Sequence, residues 1–217
     1  METTEAKRRR VAEILRILRR LYPNAKLALA FSNPLELLVA LILAAQARDE
    51  LVNAITAPLF HKYRTAADWA SAPPDQLEGE LRKINFYRNK TRAIQKACRA
   101  LIDRFGGKVP DRLEDLLSLP GVGRKTANIV LGNAFGQPTI GVDTHVSRVA
   151  GRLGLTTQTD PDKIEADLVV LVPEEDRVAF CHLLQAHGRA VCTARNPGCD
   201  RCELRELCPY PRRSSLA

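Results

Sequence analysis

The sequence predicts an all-α protein. Apolar residues recur at the three- and four-residue spacing of one helix face in nearly every segment, and no segment shows the alternating pattern of a half-buried strand. Capping residues and prolines mark the helix starts, and glycines mark several helix ends. The 217 residues, 45% of them hydrophobic, suffice for one large domain or two small ones.

In the first half of the chain, each predicted helix has its own boundary signal. Pro23 stops the first helix, which is amphipathic. NPLE at residues 33–36 supplies an N-cap, a first-turn proline and a capping-box acid. The helix that follows is apolar on nearly every side, so we expect it to be central and buried. DQLE at residues 75–78 predicts another capping box. The predicted segments are residues 5–21, 34–45, 49–63, 65–71, one beginning at 75, and 88–105.

The second half begins after Gly106 and Gly107, which end the long helix 88–105. A short helix, residues 113–117, leads into a glycine-containing turn. The remaining predicted helices are residues 124–135, 143–153, 161–171 and 173–187.

The charge balance favours a polyanionic partner. Lys and Arg number 33 against 25 Asp and Glu, a net charge of +8, and nucleic acid is the usual partner of such a chain. The alternative is a basic surface that is merely solvated. The N-terminus METTEAKRRR lacks the apolar region of a signal peptide, and the longest apolar run, residues 37–45, is far too short to span a membrane. We therefore expect a soluble, cytoplasmic protein.

The turn at residues 119–123, LPGVG, lies between two predicted helices, which is the helix-hairpin-helix pattern. Gly121 and Gly123 can adopt positive φ and carry no Cβ, so a ligand can approach the backbone closely. Their N–H groups, with the start of the next helix, form a site that suits a phosphate. The alternative is a plain tight turn, but the flanking helices, Arg124, Lys125 and the net charge together favour DNA binding.

Lys125 and Asp143 are the candidate catalytic residues. The positive end of the helix dipole and the neighbouring Arg124 both disfavour a protonated ammonium at Lys125, and a neutral amine can attack a carbon electrophile. The alternative is a lysine that contacts phosphate. Asp143, in GVDTH, is most simply a helix N-cap, and its carboxylate can also face the lysine if the two helices converge. We expect His145 to make a structural hydrogen bond.

Four of the 6 cysteines lie in the last 26 residues, which favours metal binding over a disulfide framework. Their spacing is C-x6-C-x2-C-x5-C, and this spacing alone leaves a structural zinc and an iron–sulfur cluster equally open. Cys98 and Cys181 lie within helical patterns and are expected in the core. The clustered residues are Cys192, Cys199, Cys202 and Cys208.

LPGVGRKTANIVLGNAFGQPTIGVDTH, LLVALILAAQARD and the cysteine cluster together resemble the helix-hairpin-helix DNA glycosylase superfamily, and within it the endonuclease III branch. The resemblance runs over nearly the whole chain. It implies a six-helix domain with the hairpin at residues 27–137 and an iron–sulfur domain formed by residues 1–26 and 138–217. It also implies a [4Fe–4S] cluster held by the four clustered cysteines.

The resemblance further implies a bifunctional glycosylase and abasic-site lyase of base excision repair, with Lys125 as nucleophile and Asp143 supporting it. Such an enzyme removes oxidised pyrimidines from double-stranded DNA and cleaves the strand 3′ to the abasic site by β-elimination. We expect a monomer. A glycosylase for uracil or mismatched bases and a non-catalytic DNA-binding scaffold are the alternatives.

Further DNA contacts are implied at two loops. Gln46 matches the glutamine that fills the hole left by a flipped base, and Phe86 matches an apolar wedge. Asn85 and Phe86 stand where the branch more often has glycine and leucine, and Arg48 where it has a small polar residue. These departures leave lesion and opposite-base preference open. Near the cysteines, the predicted phosphate contacts are Arg189 and Arg195, although each arginine taken alone is more simply a solvated side chain.

Overall fold

The computed structural model describes residues 2–210, and within that range all regular structure is helical. The prediction of an all-α protein is therefore confirmed. Three short 3₁₀ helices accompany the α-helices, at Glu174–Asp176, Cys199–Arg201 and Arg205–Leu207. The α-helices are α1 (Thr4–Leu21), α2 (Pro34–Ala44), α3 (Asp49–Lys62), α4 (Ala66–Ser71), α5 (Pro74–Leu81), α6 (Tyr87–Phe105), α7 (Leu113–Leu117), α8 (Arg124–Phe135), α9 (Thr144–Arg152), α10 (Pro161–Leu171) and α11 (Arg177–Ala190).

The chain divides into two compact units. The hairpin unit is Leu27–Gln137, and the cysteine unit combines Met1–Lys26 with Pro138–Ala217. The resemblance implies six helices between residues 27 and 137, whereas the described structure has seven there, α2 to α8. The count is therefore higher by one, and α4 and α7, with six and five residues, are the shortest of the seven.

The hairpin unit is built around α2. Between residues 37 and 43, every residue of this helix except Leu41 is buried, and the helix packs against α3, α6 and α8. The apolar character of nearly every face of α2 is explained by these neighbours on several sides, as predicted. Trp69 of α4 is fully buried and contacts Tyr63 and Phe60 through its ring.

The cysteine unit has a second core of its own. α1 buries one apolar face, and this helix packs against α10 and α11, while α11 also packs against α9. Phe180 of α11 is fully buried in this core. The residues of α1 that face the core are Val11, Ile14, Leu15, Ile17 and Leu18.

Several helix starts differ from the predicted ones. The capping box predicted at Asp75 is wrong, because α5 already begins at Pro74, whose fixed φ suits the first helical position. The reciprocal capping box lies instead at Thr65 and Asp68, before α4. Asn33 does cap α2, accepting a hydrogen bond from the Glu36 N–H at 3.0 Å.

The segment predicted as one helix over residues 173–187 is a 3₁₀ turn followed by α11, which continues to Ala190. Across the described residues, no helix combines the length and the apolar character that crossing a membrane requires.

Candidate functional site

The hairpin turn connects α7 to α8, and its two glycines behave differently. Gly121 has φ of +81°, and a Cβ built on it would lie 3.2 Å from the Cβ of Ala93. Both its conformation and its packing therefore call for glycine. Gly123 has φ of −94°, because it is the extended N-cap of α8, so it does not use the positive φ that glycine can adopt.

Gly123 nevertheless leaves room for a ligand. A Cβ at this position would meet nothing within 4 Å. Because the N-cap is glycine, it offers no side-chain oxygen to the first turn of α8, and the positive end of the helix dipole stays available to an anion. Glycine is a favoured N-cap residue, and the open space beside it leaves the backbone accessible to a ligand.

Lys125 is the second residue of α8, and its side chain is exposed, whereas Arg124 before it is half-buried. Further along, α8 turns a buried face to the core that begins at Ala127. The predicted position in the first helical turn is confirmed. An exposed lysine at a helix N-terminus, next to an open glycine backbone, is well placed to meet a DNA strand.

Asp143 is the N-cap of α9 in the cysteine unit. Its Oδ1 accepts hydrogen bonds from the backbone N–H groups of His145 at 2.9 Å and Val146 at 2.7 Å. Its Oδ2 lies 3.8 Å from Nδ1 of His145, and the side chain is 16% exposed. The predicted N-cap is confirmed, and the cap holds the carboxylate in one orientation.

His182 is a titratable group that the sequence analysis missed. It is buried in α11, and this burial holds its pKa below the ordinary value, although a hydrogen bond with Gln185 and the negative charge of Asp143 act in the opposite direction. A histidine within a helical pattern has no sequence signal that separates it from any other helix residue.

The structure brings two of the predicted DNA contacts into neighbouring loops. Gln46 and Phe86 are both exposed, and in the described part of the chain they are the two non-glycine residues with positive φ, at +56° and +58°. Phe86 exposes 60% of its surface. Nδ2 of Asn85 donates to the backbone oxygen of Gln46 at 3.3 Å, which joins the two loops directly.

Lys90 lies beneath these loops and was not singled out by the sequence. It is 6% exposed, and its Nζ donates to the backbone oxygens of Leu43 at 2.9 Å and Ala45 at 2.5 Å. The ammonium thus satisfies carbonyl groups at the C-terminal end of α2, where the helix dipole is negative. Burial lowers the pKa of Lys90.

The four clustered cysteines line one pocket in the cysteine unit, and none of them forms a disulfide. Arg152 donates through Nη1 to Sγ of Cys192 at 3.3 Å, and Nε2 of His187 lies 3.6 Å from Sγ of Cys202. Burial raises the pKa of the Cys202 and Cys208 thiols.

The arrangement of the thiols bears on which metal centre they fit. Among residues 2–210, no three His, Cys, Asp or Glu side chains converge closely enough to hold a single metal ion. Four thiols around one pocket are the donor set that an iron–sulfur cluster with four cysteine ligands uses.

Two arginines of α9 hold the loop that carries the first cysteine. Arg148 donates to the backbone oxygens of Cys192 at 3.1 Å and Gly188 at 3.0 Å. Arg152 donates to those of Thr193 at 2.7 Å and Ala194 at 2.8 Å. Neither arginine is signalled by the sequence, because arginines on an amphipathic helix usually face solvent.

The remaining predicted positions fall into two groups. Arg189 and Arg195 are both exposed, and their contact with phosphate stays a prediction. Cys98 and Cys181 are buried, as predicted, and burial raises the pKa of each thiol to about 12. Neither buried thiol is a reactive nucleophile at neutral pH.

Comparison with known proteins shows extensive similarity. The HhH-GPD superfamily of base excision DNA repair proteins matches residues 39–174. The endonuclease III of Synechocystis sp. (strain ATCC 27184 / PCC 6803 / Kazusa) is 48% identical over 210 residues, which cover 96% of this chain and 96% of the relative. The endonuclease III of Escherichia coli (strain K12) is 41% identical over 94% of this chain and 97% of its own.

Solved structures of endonuclease III proteins are also similar to this chain. A trapped covalent intermediate of an endonuclease III with DNA, in an estranged-adenine complex, matches with a TM-score of 0.90 and 42% identity, over 96% of this chain and 98% of that chain. A non-covalent endonuclease III–DNA complex matches with a TM-score of 0.90 and 42% identity, over 97% of this chain and 99% of that chain. The similarity therefore spans nearly the whole chain.

Proposed function

The chain belongs to the HhH-GPD superfamily of base excision DNA repair proteins, within its endonuclease III branch, and we propose on that basis that it is a bifunctional DNA glycosylase and abasic-site lyase acting on oxidised pyrimidines in double-stranded DNA. The single observation that carries the lyase activity is the exposed Lys125 in the first turn of α8, directly after the open backbone of Gly123.

Lys125 is the proposed nucleophile. The damaged base leaves the stack, because its glycosidic bond is not accessible inside a duplex. The Nζ lone pair attacks the sugar C1′, the glycosidic bond breaks, and its electron pair leaves with the base, which takes up a proton. One amine proton is passed on to the departing base; the C1′–O4′ bond then breaks, and the ring oxygen takes up the second proton as the Schiff base forms between Nζ and C1′.

The Schiff base then makes strand cleavage possible. It withdraws electrons from C2′, so a proton is lost there, and the bond between C3′ and its phosphate oxygen breaks in a β-elimination. The phosphate leaves with that electron pair, and the strand is cut on the 3′ side. Hydrolysis of the imine releases Lys125 for the next turnover.

Asp143 supports this chemistry through its charge. A carboxylate stabilises the positive charge that develops on the sugar and on the amine, and it can accept a proton from the lysine. The α9 cap orients the carboxylate through one oxygen, since Oδ1 accepts both backbone hydrogen bonds. A preorganised anion does not need to reorient during the reaction, which is what electrostatic catalysis requires.

A [4Fe–4S] cluster is the proposed cofactor, with Cys192, Cys199, Cys202 and Cys208 as its ligands. The donor set of four thiols around one pocket supports this assignment, and the similarity to endonuclease III proteins favours the cluster over a mononuclear zinc. The cluster's contribution is structural: it would tie together the chain between the first and last cysteine. Arg189 and Arg195, exposed close to this segment, would then contact phosphates.

The hairpin supplies the remaining DNA contacts. The backbone at Gly121 and Gly123 and the side chain of Arg124 would bind phosphate, which positions the duplex without reading its sequence. Gln46 would occupy the space left by the flipped base, and Phe86 would stack against the base that has lost its partner. The exposure of Gln46 and Phe86 supports these roles.

Borohydride trapping tests the proposal directly. The substrate is a duplex with a single oxidised thymine, and the proteins are the intact chain, Lys125→Ala and, as a matched control, Lys163→Ala, an exposed lysine of α10. We expect a covalent complex from the intact chain and the control but not from Lys125→Ala. Base release without trapping would leave a monofunctional glycosylase, and binding without base release would leave a scaffold.

A further inference from the structure

Two loops of the hairpin unit hold their exposed residues in an uncommon backbone conformation. The first loop is residues 45–48, and the second is residues 83–86. Gln46 in the first and Phe86 in the second have φ of +56° and +58°, where residues other than glycine are rare. Such conformations persist where the surrounding structure enforces them, and they cluster at ligand-binding sites.

Polar contacts within the hairpin unit account for this enforcement. Asn85 in the second loop donates from Nδ2 to the backbone oxygen of Gln46 at 3.3 Å. Below the loops, the buried ammonium of Lys90 holds the backbone oxygens of Leu43 and Ala45, directly before Gln46. Asn85 thus contacts the backbone of the first loop, and Lys90 contacts the end of α2 and the start of that loop.

The second loop is connected to Lys90 through the first turn of α6. Phe86 is the N-cap of that helix, and the Lys90 N–H donates to the Phe86 backbone oxygen at 3.1 Å. A closed path therefore runs from Phe86 through the first turn of α6 to the Lys90 ammonium, then to Ala45 and Gln46, and back through Asn85. The two loops are therefore linked both directly and through Lys90.

We propose that Asn85 and Lys90 are positioning residues that join the two loops into one rigid unit, so that Gln46 and Phe86 enter the DNA together. The proposal rests on the proposed function, because it assigns both residues to the duplex. Preorganised loops lose less conformational freedom on binding than independent ones, so coupling favours base flipping. Glycine, which the branch more often has at position 85, could not make the Asn85 contact.

The first test needs no catalysis. A duplex carries a non-cleavable abasic analogue opposite 2-aminopurine, whose fluorescence rises when it is unstacked. At saturating protein, we expect Asn85→Ala to give a smaller rise than the intact chain. Asn89→Ala, an exposed asparagine in the first turn of α6, should give the full rise. An equal rise for Asn85→Ala and the intact chain would overturn the proposal.

The second test compares two substrates in single turnover. Asn85→Ala should slow base release from duplex DNA about two- to fivefold, the range expected for one partly exposed hydrogen bond, with an unchanged thermal midpoint. Its β-elimination on a single-stranded abasic site, where no opposite base exists, should keep the intact rate. A parallel fall on both substrates would mean a general structural defect and would overturn the proposal.

A double-substitution cycle measures the coupling itself. Gln46→Ala and Phe86→Ala should be non-additive in the otherwise intact chain and closer to additive when Asn85→Ala is also present. Additivity in both backgrounds would contradict a joined unit. The fluorescence test remains decisive if the intact chain releases no base, so failure of the glycosylase assignment and failure of the coupling are distinguishable.

Discussion

Asp143 combines a structural and a proposed catalytic role, and two substitutions separate them. Asparagine caps helices about as well as aspartate, so Asp143→Asn keeps an acceptor for the His145 and Val146 N–H groups but removes the charge. Asp143→Ala removes both the cap and the charge. If the roles are as proposed, the two variants lose activity alike but differ in stability.

The expected magnitudes follow from the contacts. Loss of the cap costs about 1 kcal/mol, which lowers the unfolding midpoint of a chain of this size by about 2–4 °C. Loss of a preorganised charge at the reacting centre slows base release by a factor on the order of 100 or more. Asp143→Asn should therefore show the slow rate with a nearly unchanged midpoint, and Asp143→Ala should show both defects.

Thermal unfolding and single-turnover base release are the assays. The chain offers a matched control in Asp160, the N-cap of α10, whose Oδ1 accepts from the N–H groups of Asp162 at 3.0 Å and Lys163 at 3.1 Å. Asp160→Ala should lose comparable stability and keep its activity. Full activity in Asp143→Asn would refute the electrostatic role, and an unchanged midpoint in Asp143→Ala would refute the capping argument.

Three further predictions concern the turn, the cysteines and a buried histidine. Gly121→Ala should destabilise the fold by about 1–2 kcal/mol, because of its φ of +81° and the close Ala93. Gly123→Ala meets no clash and loses only the N-cap preference for glycine, so it should cost less stability but weaken DNA binding in fluorescence anisotropy. Cys202→Ser should abolish the visible absorbance expected of the proposed cluster and lower the unfolding midpoint. The buried His182 has a lowered pKa, so the unfolded chain binds the proton more readily, and stability should fall as pH drops below 6.5; His182→Gln should flatten that fall in denaturant titrations.

A specific outcome would contradict each of these three predictions. Equal stability losses in the two glycine variants would contradict the different conformations of the turn. A colourless, fully active protein that holds one zinc would refute the cluster, and Cys98→Ala, outside the cysteine pocket, should keep the absorbance. An unchanged pH profile in His182→Gln would show that other groups carry the acid sensitivity.

The features that the sequence predicted correctly are those set by neighbouring residues. The caps at Asn33 and Asp143 were predicted because an N-cap side chain bonds to backbone groups two or three residues ahead. The central position of α2 was predicted from its uniformly apolar surface. The capping box at Asp75 failed for a local reason too, since the proline at residue 74 started the helix earlier.

The residue types that form the candidate site could also be predicted from short stretches of sequence. The spacing of the four cysteines, the glycines of the turn and the lysine that follows them are all read within a short stretch of chain. What this stretch could not determine is the conformation of each glycine, because the packing of Gly121 against Ala93 depends on α6, a distant part of the chain.

Tertiary structure alone decided the contacts that support the site. Asn85 and Gln46 are 39 residues apart, Lys90 and Leu43 are 47 apart, and Arg148 and Cys192 are 44 apart. The three donors, Asn85, Lys90 and Arg148, have the sequence pattern of solvated residues in a loop or on an amphipathic helix. A buried donor and its carbonyl partner meet only after the helices pack, so periodicity and propensity, which act over one or two turns, carry no information about such pairs.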